Sequence, residues 1–419
     1  MRLSRFGRKF TGDSGTLKLM DDLGEAFGSG REMINLGGGN PSHIPRMEET
    51  FRAQLAALAQ RPGELERAMG DYSGPSGDRT FRGAVADLLR AEHGWDVGPD
   101  HVCVTNGSQA GFFALFNLLA GPDEDGGERR ILLPMAPEYI GYADIGVGPG
   151  LFVSHRPSFE FLEDRFFKYR VDLDDLEVRD DIAALCVSRP TNPTGNVLTD
   201  DELASLHGLA RERDIPLILD NAYGVPFPGI LFRDVRPLWD ESVILFMSLS
   251  KLGLPGLRTG IVVADPALVR ALASANALMT LAPCAFGPAL VRGLFESGEV
   301  IALSREVVRP HYEARAARAA ATLLDDLQDC DVLLHRPEGA IFLWLWCRGI
   351  PVSSAELYER LKRRGVVVVS GEHFFPGLEH DPWPHKSECM RLTYSDSPEK
   401  VETGLAIVAE EVRRAYREG

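Results

Sequence analysis

Between residues 100 and 265 the chain alternates short apolar runs with segments of helical character, which restricts the fold more than any other feature. The runs are "HVCVT" (101–105), "RILLP" (130–134), "LFVS" (151–154), "ALCVS" (184–188), "PLILD" (216–220), "VILFMS" (243–248) and "GIVVA" (260–264). Helix-like segments such as "SQAGFFALFNLLAG" and "TDDELASLHGLARERD" separate several of them, and Thr199 is a good N-cap for the second. Apolar strands that alternate with helices predict an α/β fold with a mostly parallel sheet covered on both faces.

The character of the sequence changes after about residue 305. A helix-like stretch rich in Arg and Ala (304–328) precedes the runs "VLLHRP", "AIFLWLW", "VVVVS" and "MRLTYS", with helical patterns at 353–364 and 397–416. This predicts a smaller α+β domain, as expected for a chain of 419 residues, which exceeds one usual hydrophobic core. We predict an N-terminal segment (1–50) packed on the small domain and the active site, a large domain (51–304) and a small C-terminal domain (305–419).

Composition excludes several classes of protein. A formal net charge of -16 argues against nucleic acid as a main partner, because phosphate binding needs a concentrated basic face. Six scattered cysteines without a C-x-x-C pair predict free thiols in a reducing compartment and no metal site. The longest charge-free window (271–291) is interrupted by Pro283 and Pro288, which favours a buried helix and loop over a membrane span. The sequence thus predicts a cytoplasmic protein.

Polar residues follow the predicted strands, where the active sites of open α/β sheets lie. Gly107 and Ser108 open a helix after "HVCVT", which suits a phosphate, although a Ser there is more often only a cap. Asn192 lies in "RPTNPTGN" after "ALCVS", where turn formation is an equally good explanation. Asp220 ends "PLILD", and an acid there would be desolvated unless it met a cation, with helix capping as the alternative.

The segment "SLSKLGLPGLRTG" (248–260) brings two serines, Lys251 and Arg258 into a glycine-rich loop. Most lysines are merely solvated surface charges. Taken together, however, the strand ends suit one ligand with a phosphate, a cationic ring nitrogen, a phenolic oxygen and an aldehyde. Pyridoxal 5′-phosphate has these groups, and its chemistry uses a Lys Schiff base and an acidic partner for the ring nitrogen.

At this point the sequence resembles a known family. The order and spacing of Asn192, Asp220, Tyr223, Lys251 and Arg258 are similar to those of the fold-type I, class I and II aminotransferases, and the likeness covers essentially the whole chain. Segments such as "LGGGNPSHIP", "YSGPSGDRTFR", "APEYIGYAD" and "DNAYGVPFPGI" resemble the branch that acts on valine and pyruvate. The resemblance implies a large pyridoxal-phosphate domain with a seven-stranded, mostly parallel sheet, a smaller α+β domain and a homodimer.

The resemblance also implies roles for single residues. Lys251 would attach the cofactor and carry a proton, Asp220 would hold the ring nitrogen protonated, and Tyr223 and Asn192 would bind the phenolic oxygen. Tyr139 would lie against the ring and Tyr72 would reach the phosphate from the neighbouring subunit. The phosphate would be held by Gly107, Ser108, Gln109, Ser248, Ser250 and Arg258. Substrate would be bound by Arg391, Gly38, Gly39 and Asn192, with Ile44 as a candidate wall. The peptide bonds before Pro137 and Pro193 are predicted to be cis.

The implied reaction is transfer of an amino group between L-valine and pyruvate, which gives 3-methyl-2-oxobutanoate and L-alanine by a ping-pong route. Two alternatives stay open within pyridoxal-phosphate enzymes: an aminotransferase with another amino-acid preference, and a lyase on the same fold. A third alternative, a ligand-sensing regulator built on an aminotransferase domain, is disfavoured by the acidic charge, since such regulators bind DNA.

Overall fold

We describe the chain from a computed structural model that covers residues 2–12, 14–17, 20–21 and 33–418. The remaining part of the predicted N-terminal segment (1–50) lies outside the described residues. The strands are β1 (Ile34–Asn35), β2 (Val102–Asn106), β3 (Gly121–Pro122), β4 (Glu128–Leu133), β5 (Phe152–Ser154), β6 (Ser158–Phe161), β7 (Phe166–Arg170), β8 (Ile182–Ser188), β9 (Leu217–Asp220), β10 (Val243–Ser248), β11 (Thr259–Val263), β12 (Val332–His335), β13 (Phe342–Cys347), β14 (Val366–Val367), β15 (Val369–Ser370) and β16 (Cys389–Thr393).

The described α-helices begin with one of 6 residues and end with the longest of them, which has 21. They are α1 (Arg5–Phe10), α2 (Pro45–Ala59), α3 (Glu64–Gly70), α4 (Arg79–His93), α5 (Ser108–Leu119), α6 (Asp200–Glu212), α7 (Pro266–Thr280), α8 (Phe286–Glu296), α9 (Glu299–Leu303), α10 (Arg309–Asp326), α11 (Ser354–Arg363), α12 (His385–Glu388) and α13 (Pro398–Glu418). Thr199 caps α6 as predicted, and Glu202 completes a capping box with it. A π-helical segment, Ser304–Val308, joins α9 to α10.

The large sheet has the strand order β2-β11-β10-β9-β8-β4-β3, with β5 paired to β4. The seven predicted runs all form strands of this sheet, and the eighth strand is the two-residue β3 at its edge. Strands β4, β5, β8, β9 and β10 pair in parallel, whereas β11 runs antiparallel to both β2 and β10. The carboxyl ends of β2, β10, β9, β8 and β4 therefore lie along one edge, which confirms the predicted α/β fold class.

A second sheet has the order β15-β16-β13-β12-β7-β6. Strands β6 and β7 come from within the range predicted for the large domain, yet β7 pairs in parallel with β12. Their sequence mixes charged and aromatic residues, and the buried Lys168 of β7 is accommodated by an ion pair with Glu338. Strand β1 pairs with β14 and so attaches the N-terminal chain to the C-terminal part. The division into three domains remains a proposal.

The charge-free window at 271–291 forms parts of two helices, α7 and α8, separated by a break. Leu281 ends α7 with φ +63°, a left-handed conformation that is unusual for a branched side chain. No helix in the described part of the chain combines the length and the hydropathy that a membrane crossing requires.

Candidate active site

Four strands of the large sheet deliver polar residues to one edge. Strand β2 leads through Gly107 into α5, β8 ends at Ser188, β9 ends at Asp220 and β10 ends at Ser248. Ser188 and Asp220 are register partners across β8 and β9, and Phe246 of β10 is the partner of Asp220 on the other side. Parallel pairing thus brings together groups that lie far apart in the sequence, as the strand-end argument predicted.

An anion cradle lies where α5 and β11 begin. Gly107 has φ +82°, and a Cβ atom built on it would lie 2.3 Å from Nη2 of Arg258. Only glycine therefore lets the guanidinium approach the N-terminus of α5, where free backbone N–H groups favour an anion. The hydroxyl of Ser108 donates to the carbonyl of Met247 (3.4 Å), and the Ser248 hydroxyl accepts from the Ser250 N–H (3.1 Å). These predicted phosphate residues are neighbours in the fold.

Lys251 points from a short 3-10 turn after β10 into the site. Its Nζ donates to the carbonyl of Gly39 (2.5 Å) and lies 5.1 Å from the centre of the Tyr223 ring. Burial lowers the pKa of Lys251 to about 7; the positive charges of Arg391 and Arg258 act in the same direction, and Asp220 opposes them. A substantial fraction of the amine is therefore unprotonated near neutral pH, as a nucleophile and proton carrier requires.

Asp220 is buried and held from two sides. Its Oδ1 accepts from the Ala222 N–H (2.9 Å) and its Oδ2 accepts from the Tyr142 hydroxyl (2.7 Å). Burial raises the pKa of this carboxyl, while the hydrogen bonds from Tyr142 and Ala222 and the charge of Lys251 lower it. These donors favour the ionised form, which is the form that pairs with a protonated ring nitrogen. Asp220 does not cap a helix, since a bend and turn, not a helix, follow β9.

A second buried carboxyl, Glu138, lies next to this group. Its two oxygens accept from the N–H (2.9 Å) and the hydroxyl (2.5 Å) of Ser188, the register partner of Asp220. Burial raises the pKa of Glu138 to about 8; the hydrogen bonds from Ser188 lower it, and the charge of Asp220 raises it. Two neighbouring carboxyls in one dry region disfavour ionisation of both, so Glu138, whose pKa is about 8, keeps its proton at neutral pH.

Glu138→Gln should change how stability depends on pH. Folded Glu138 holds its proton up to about pH 8, whereas the unfolded chain releases it near 4.5, so this group makes the folded state less stable as pH rises between those values. The variant should gain stability relative to the wild type from pH 5 to 8, by up to about 1.4 kcal/mol per pH unit. Urea unfolding across that range measures the gain, with exposed Glu124→Gln as control. Parallel curves for the wild type and Glu138→Gln would contradict the raised pKa.

Arg391 lies on β16 and is almost fully buried, at 2% exposure. Its Nη1 donates to Oδ1 of Asn192 (2.8 Å) and its Nη2 donates to the carbonyl of Gly37 (2.5 Å), while Nε is buried without a partner. Burial lowers the pKa of Arg391 to about 10. The predicted substrate residues Arg391, Asn192 and the glycine segment thus form one group.

The glycine segment 37–39 crosses the site between Arg391 and Lys251. Asn35 shapes it, because its Oδ1 accepts from the N–H groups of Gly37 (3.1 Å) and Gly38 (2.8 Å). Beside it a cavity of about 170 Å³ is lined by Ile44, Phe51, Lys251 and Tyr312 among others. The predicted wall residue Ile44 therefore faces the predicted catalytic amine, with room for a small apolar group.

The remaining predicted residues lie at the margin of the site or outside it. The Tyr139 ring packs edge-on against Tyr142, with ring centres 5.4 Å apart. Gln109 donates to the carbonyl of Gly141 (2.9 Å) and leaves its Oε1 buried without a partner. Tyr72 is 82% exposed on the surface of this chain, so a role for it depends on a second subunit.

Sequence reasoning missed four buried residues around the site: Tyr142, Glu138, Phe342 and Phe374. The first two lie in "PEYIGY", where an acid within an apolar motif was an available signal. Nothing in the sequence marks the two phenylalanines as site residues, because phenylalanines in apolar runs are expected to belong to the hydrophobic core.

The prediction of a cis bond before Pro193 is wrong: the cis bonds of the described chain precede Pro137, which was predicted, and Pro190, Pro226 and Pro228. Sequence alone does not distinguish these prolines from the others.

Pyridoxal 5′-phosphate fits the groups that the fold assembles. The cradle of Gly107 and Arg258 suits its phosphate, the buried carboxyl of Asp220 suits its ring nitrogen, and Lys251 suits its aldehyde. The orphaned Oε1 of Gln109 and Nε of Arg391 are buried polar atoms that a bound ligand could satisfy.

Comparisons with known proteins show the family of the chain. Residues 31–408 match the family described as aminotransferase class I and II. The chain is 47% identical to the valine–pyruvate aminotransferase of Escherichia coli K12 over 418 residues, with full coverage of both. The crystal structure of valine–pyruvate aminotransferase from Salmonella typhimurium LT2 matches with a TM-score of 0.88 at 47% identity, covering 96% of this chain and 100% of that one. The α-aminoadipate aminotransferase of Thermus thermophilus, complexed with N-(5′-phosphopyridoxyl)-L-leucine, matches in fold with a TM-score of 0.79 at 22% identity, covering 100% and 98%.

Proposed function

Because the chain belongs to the aminotransferase class I and II family, we propose that it transfers an amino group between L-valine and pyruvate, giving 3-methyl-2-oxobutanoate and L-alanine. The family is pyridoxal-phosphate-dependent, and we propose that cofactor here. The observation that carries the proposal is the meeting of Lys251, Asp220 and Arg258, at one edge of the large sheet, with Arg391 from the second sheet. A ping-pong route follows, because one cofactor site must serve the amino donor and then the oxo acid acceptor.

The cofactor, when bound, supplies a ring that accepts the electron pair released at the substrate Cα. Lys251 would hold the cofactor through its amine, and the same amine would move a proton to and from that carbon. The lowered pKa of Lys251 suits this role, because a general base works best when its pKa is near the working pH. Asp220 keeps the ring nitrogen protonated, and Tyr142 holds the carboxylate in place.

The proposed substrates carry one carboxylate and a small apolar side chain. Among the described cations of the site, Arg258 lies at the phosphate end and Lys251 at the reacting carbon, which leaves Arg391 for one carboxylate. The neighbouring cavity of about 170 Å³ with Ile44 in its wall suits a methyl or isopropyl group. An apolar pocket distinguishes one methylene by only about 1–3 kcal/mol, so overlap with other aliphatic amino acids is expected.

Arg391→Ala should raise KM for valine, alanine and pyruvate by about 10²–10³-fold, because a buried charge-assisted contact contributes about 2–5 kcal/mol. Arg391→Lys keeps the charge but loses the planar fork, so its KM should lie between those of the wild type and the alanine variant. Steady-state kinetics with all three substrates measures both variants. An unchanged KM in Arg391→Ala would exclude the carboxylate contact.

We also propose a homodimer in which Tyr72 completes the site of the neighbouring subunit. Tyr72 and Met69 are exposed on one segment, and Leu278, Met279 and Leu281 are exposed on another. Asn276 joins the two segments by donating to the carbonyl of Pro75 (3.0 Å). Exposed apolar side chains on adjoining segments are typical of an interface.

Mixed dimers test this arrangement. A dimer of one Lys251→Ala chain and one Tyr72→Ala chain should keep one intact site if Tyr72 acts across the interface, and none if it acts within its own chain. Co-expression with two affinity tags isolates the mixed dimer. We expect about half of the wild-type activity, well above that of either variant alone, whereas activity no higher than that of the Tyr72→Ala enzyme would contradict the shared site.

A half-reaction screen tests the function itself. Purified enzyme with cofactor is mixed with one amino acid at a time, and the absorbance change marks amino transfer. Valine and alanine should react and return their oxo acids without ammonia. Release of ammonia would support the lyase alternative, and reaction with a different amino acid only would support another aminotransferase.

The six cysteines are unpaired, which agrees with the proposed cytoplasmic location.

A further inference from the structure

Arg391 is a buried cation whose described partners are neutral. It donates to an amide oxygen and to a backbone carbonyl, and no carboxylate of the described residues forms an ion pair with it. A buried charge without a counterion costs considerable free energy, and this cost is reflected in the lowered pKa of Arg391. Something else must therefore compensate for part of the cost before substrate arrives.

Two phenyl rings lie against the guanidinium. Its Cζ is 4.1 Å from the centre of the Phe342 ring and 5.1 Å from that of Phe374. The sheet register fixes the first contact, because Arg391 pairs with Trp344 and Phe342 is the diagonal neighbour on the same face. Phe374 comes from the 3-10 segment Gly371–Phe374 and is held edge-on against Trp344, with ring centres 5.6 Å apart.

Ring faces attract a cation without neutralising it. A carboxylate in place of either ring would pair with Arg391 permanently and compete with the carboxylate of the substrate. We propose that Phe342 and Phe374 are positioning residues that hold the Arg391 guanidinium buried, charged and correctly oriented for the substrate carboxylate. This inference rests on the proposed function, since it assigns that carboxylate to Arg391.

Phe342 also links the two ends of the substrate site. A Cβ atom built on Gly39 would lie 4.0 Å from Cζ of Phe342 and 3.5 Å from Nζ of Lys251, so the tip of the ring borders the space next to the amine. The same ring lies against the guanidinium of Arg391. The ring therefore helps to set the separation between the carboxylate contact and the reacting carbon, and Phe342 is expected to have the larger effect of the two.

Phe342→Leu and Phe374→Leu test the proposal in the enzyme with its cofactor bound. A desolvated cation–π contact corresponds to roughly tenfold or more in affinity, so KM for valine, alanine and pyruvate should rise by about that factor in Phe342→Leu. The dissociation constant of 3-methylbutanoate, an unreactive carboxylate measured by calorimetry, should rise equally. Cofactor affinity should not change, and the KM for 2-methylpropylamine, which is valine without its carboxylate, should rise much less than the KM for valine. Phe295→Leu, a buried phenylalanine that packs on Phe81 and Phe227, is the matched control for lost packing.

A double-mutant cycle separates positioning from general damage. In an Arg391→Ala background, Phe342→Leu should have no further effect on 3-methylbutanoate binding. Additive effects of the two substitutions on 3-methylbutanoate binding would overturn the proposal. An equal rise in the KM for 2-methylpropylamine would overturn it as well. Phe374→Leu provides the same readouts if Phe342→Leu does not fold. A wild-type enzyme that reacts with no amino acid would refute the proposed function instead, and unchanged carboxylate binding in an active Phe342→Leu enzyme would refute only this inference.

Discussion

Lys251→Ala should lower the rate of amino transfer by about 10⁴-fold or more, because it removes both the covalent attachment of the cofactor and the proton carrier. The amine is the nitrogen nucleophile that the described site presents to the predicted aldehyde, and its pKa of about 7 makes it available near neutral pH. Multiple-turnover assays with valine and pyruvate measure the loss. The absorbance of the attached cofactor should disappear with it.

Lys251→Arg is the matched control for this prediction. It keeps a positive charge near the carbonyl of Gly39, which Lys251 contacts at 2.5 Å, but it offers no amine of suitable pKa. Both variants should therefore be inactive while retaining the fold, as circular dichroism and thermal unfolding can verify. Sustained turnover by Lys251→Arg would mean that charge alone is required, and the role of nucleophile and base would have to be reassigned.

Asp220→Asn should lower kcat by about 10²–10³-fold, because losing one partner of a buried charge pair costs about 3–5 kcal/mol. The substitution preserves the shape of the side chain and removes the charge opposite the ring nitrogen, and its single amide oxygen can accept from only one of the two donors, the Tyr142 hydroxyl or the Ala222 N–H. Single-turnover kinetics with alanine isolates the proton-transfer step from substrate binding. Bound cofactor, measured after dialysis, shows whether the site is still occupied.

Tyr142→Phe removes the hydrogen bond but leaves the carboxylate. A hydrogen bond to a charged group contributes about 1.5–3 kcal/mol, so kcat should fall by about 10–100-fold, less than in Asp220→Asn. This order of the two losses in kcat distinguishes the contribution of the Asp220 charge from that of the hydrogen bond that holds it. Equal or larger damage from Tyr142→Phe would indicate that Asp220 is mainly structural, and near-wild-type turnover by Asp220→Asn would remove its role at the ring nitrogen.

Much of the fold could be predicted because it is encoded in local patterns. All seven apolar runs became strands of the large sheet, and Thr199 caps the helix that was expected to follow it. The second sheet was less accessible to prediction. Strand β7 joins it by pairing with β12, and four strands of the large sheet lie in sequence between the partners Phe167 and His335. No periodicity within "FFKYR" indicates which sheet will accept it.

The sequence alone indicated which residues we propose to carry the chemistry, because a lysine, an acid and an arginine beside neighbouring strands are a chemical set that suits one cofactor. Only the tertiary structure decided how those groups are tuned. The hydrogen bond from Tyr142 to Asp220, the second carboxyl of Glu138 and the ring of Phe342 on Arg391 all join residues far apart in sequence. Burial and long-range register create these contacts, and with them the pKa shifts and the orientation that local residue patterns do not contain.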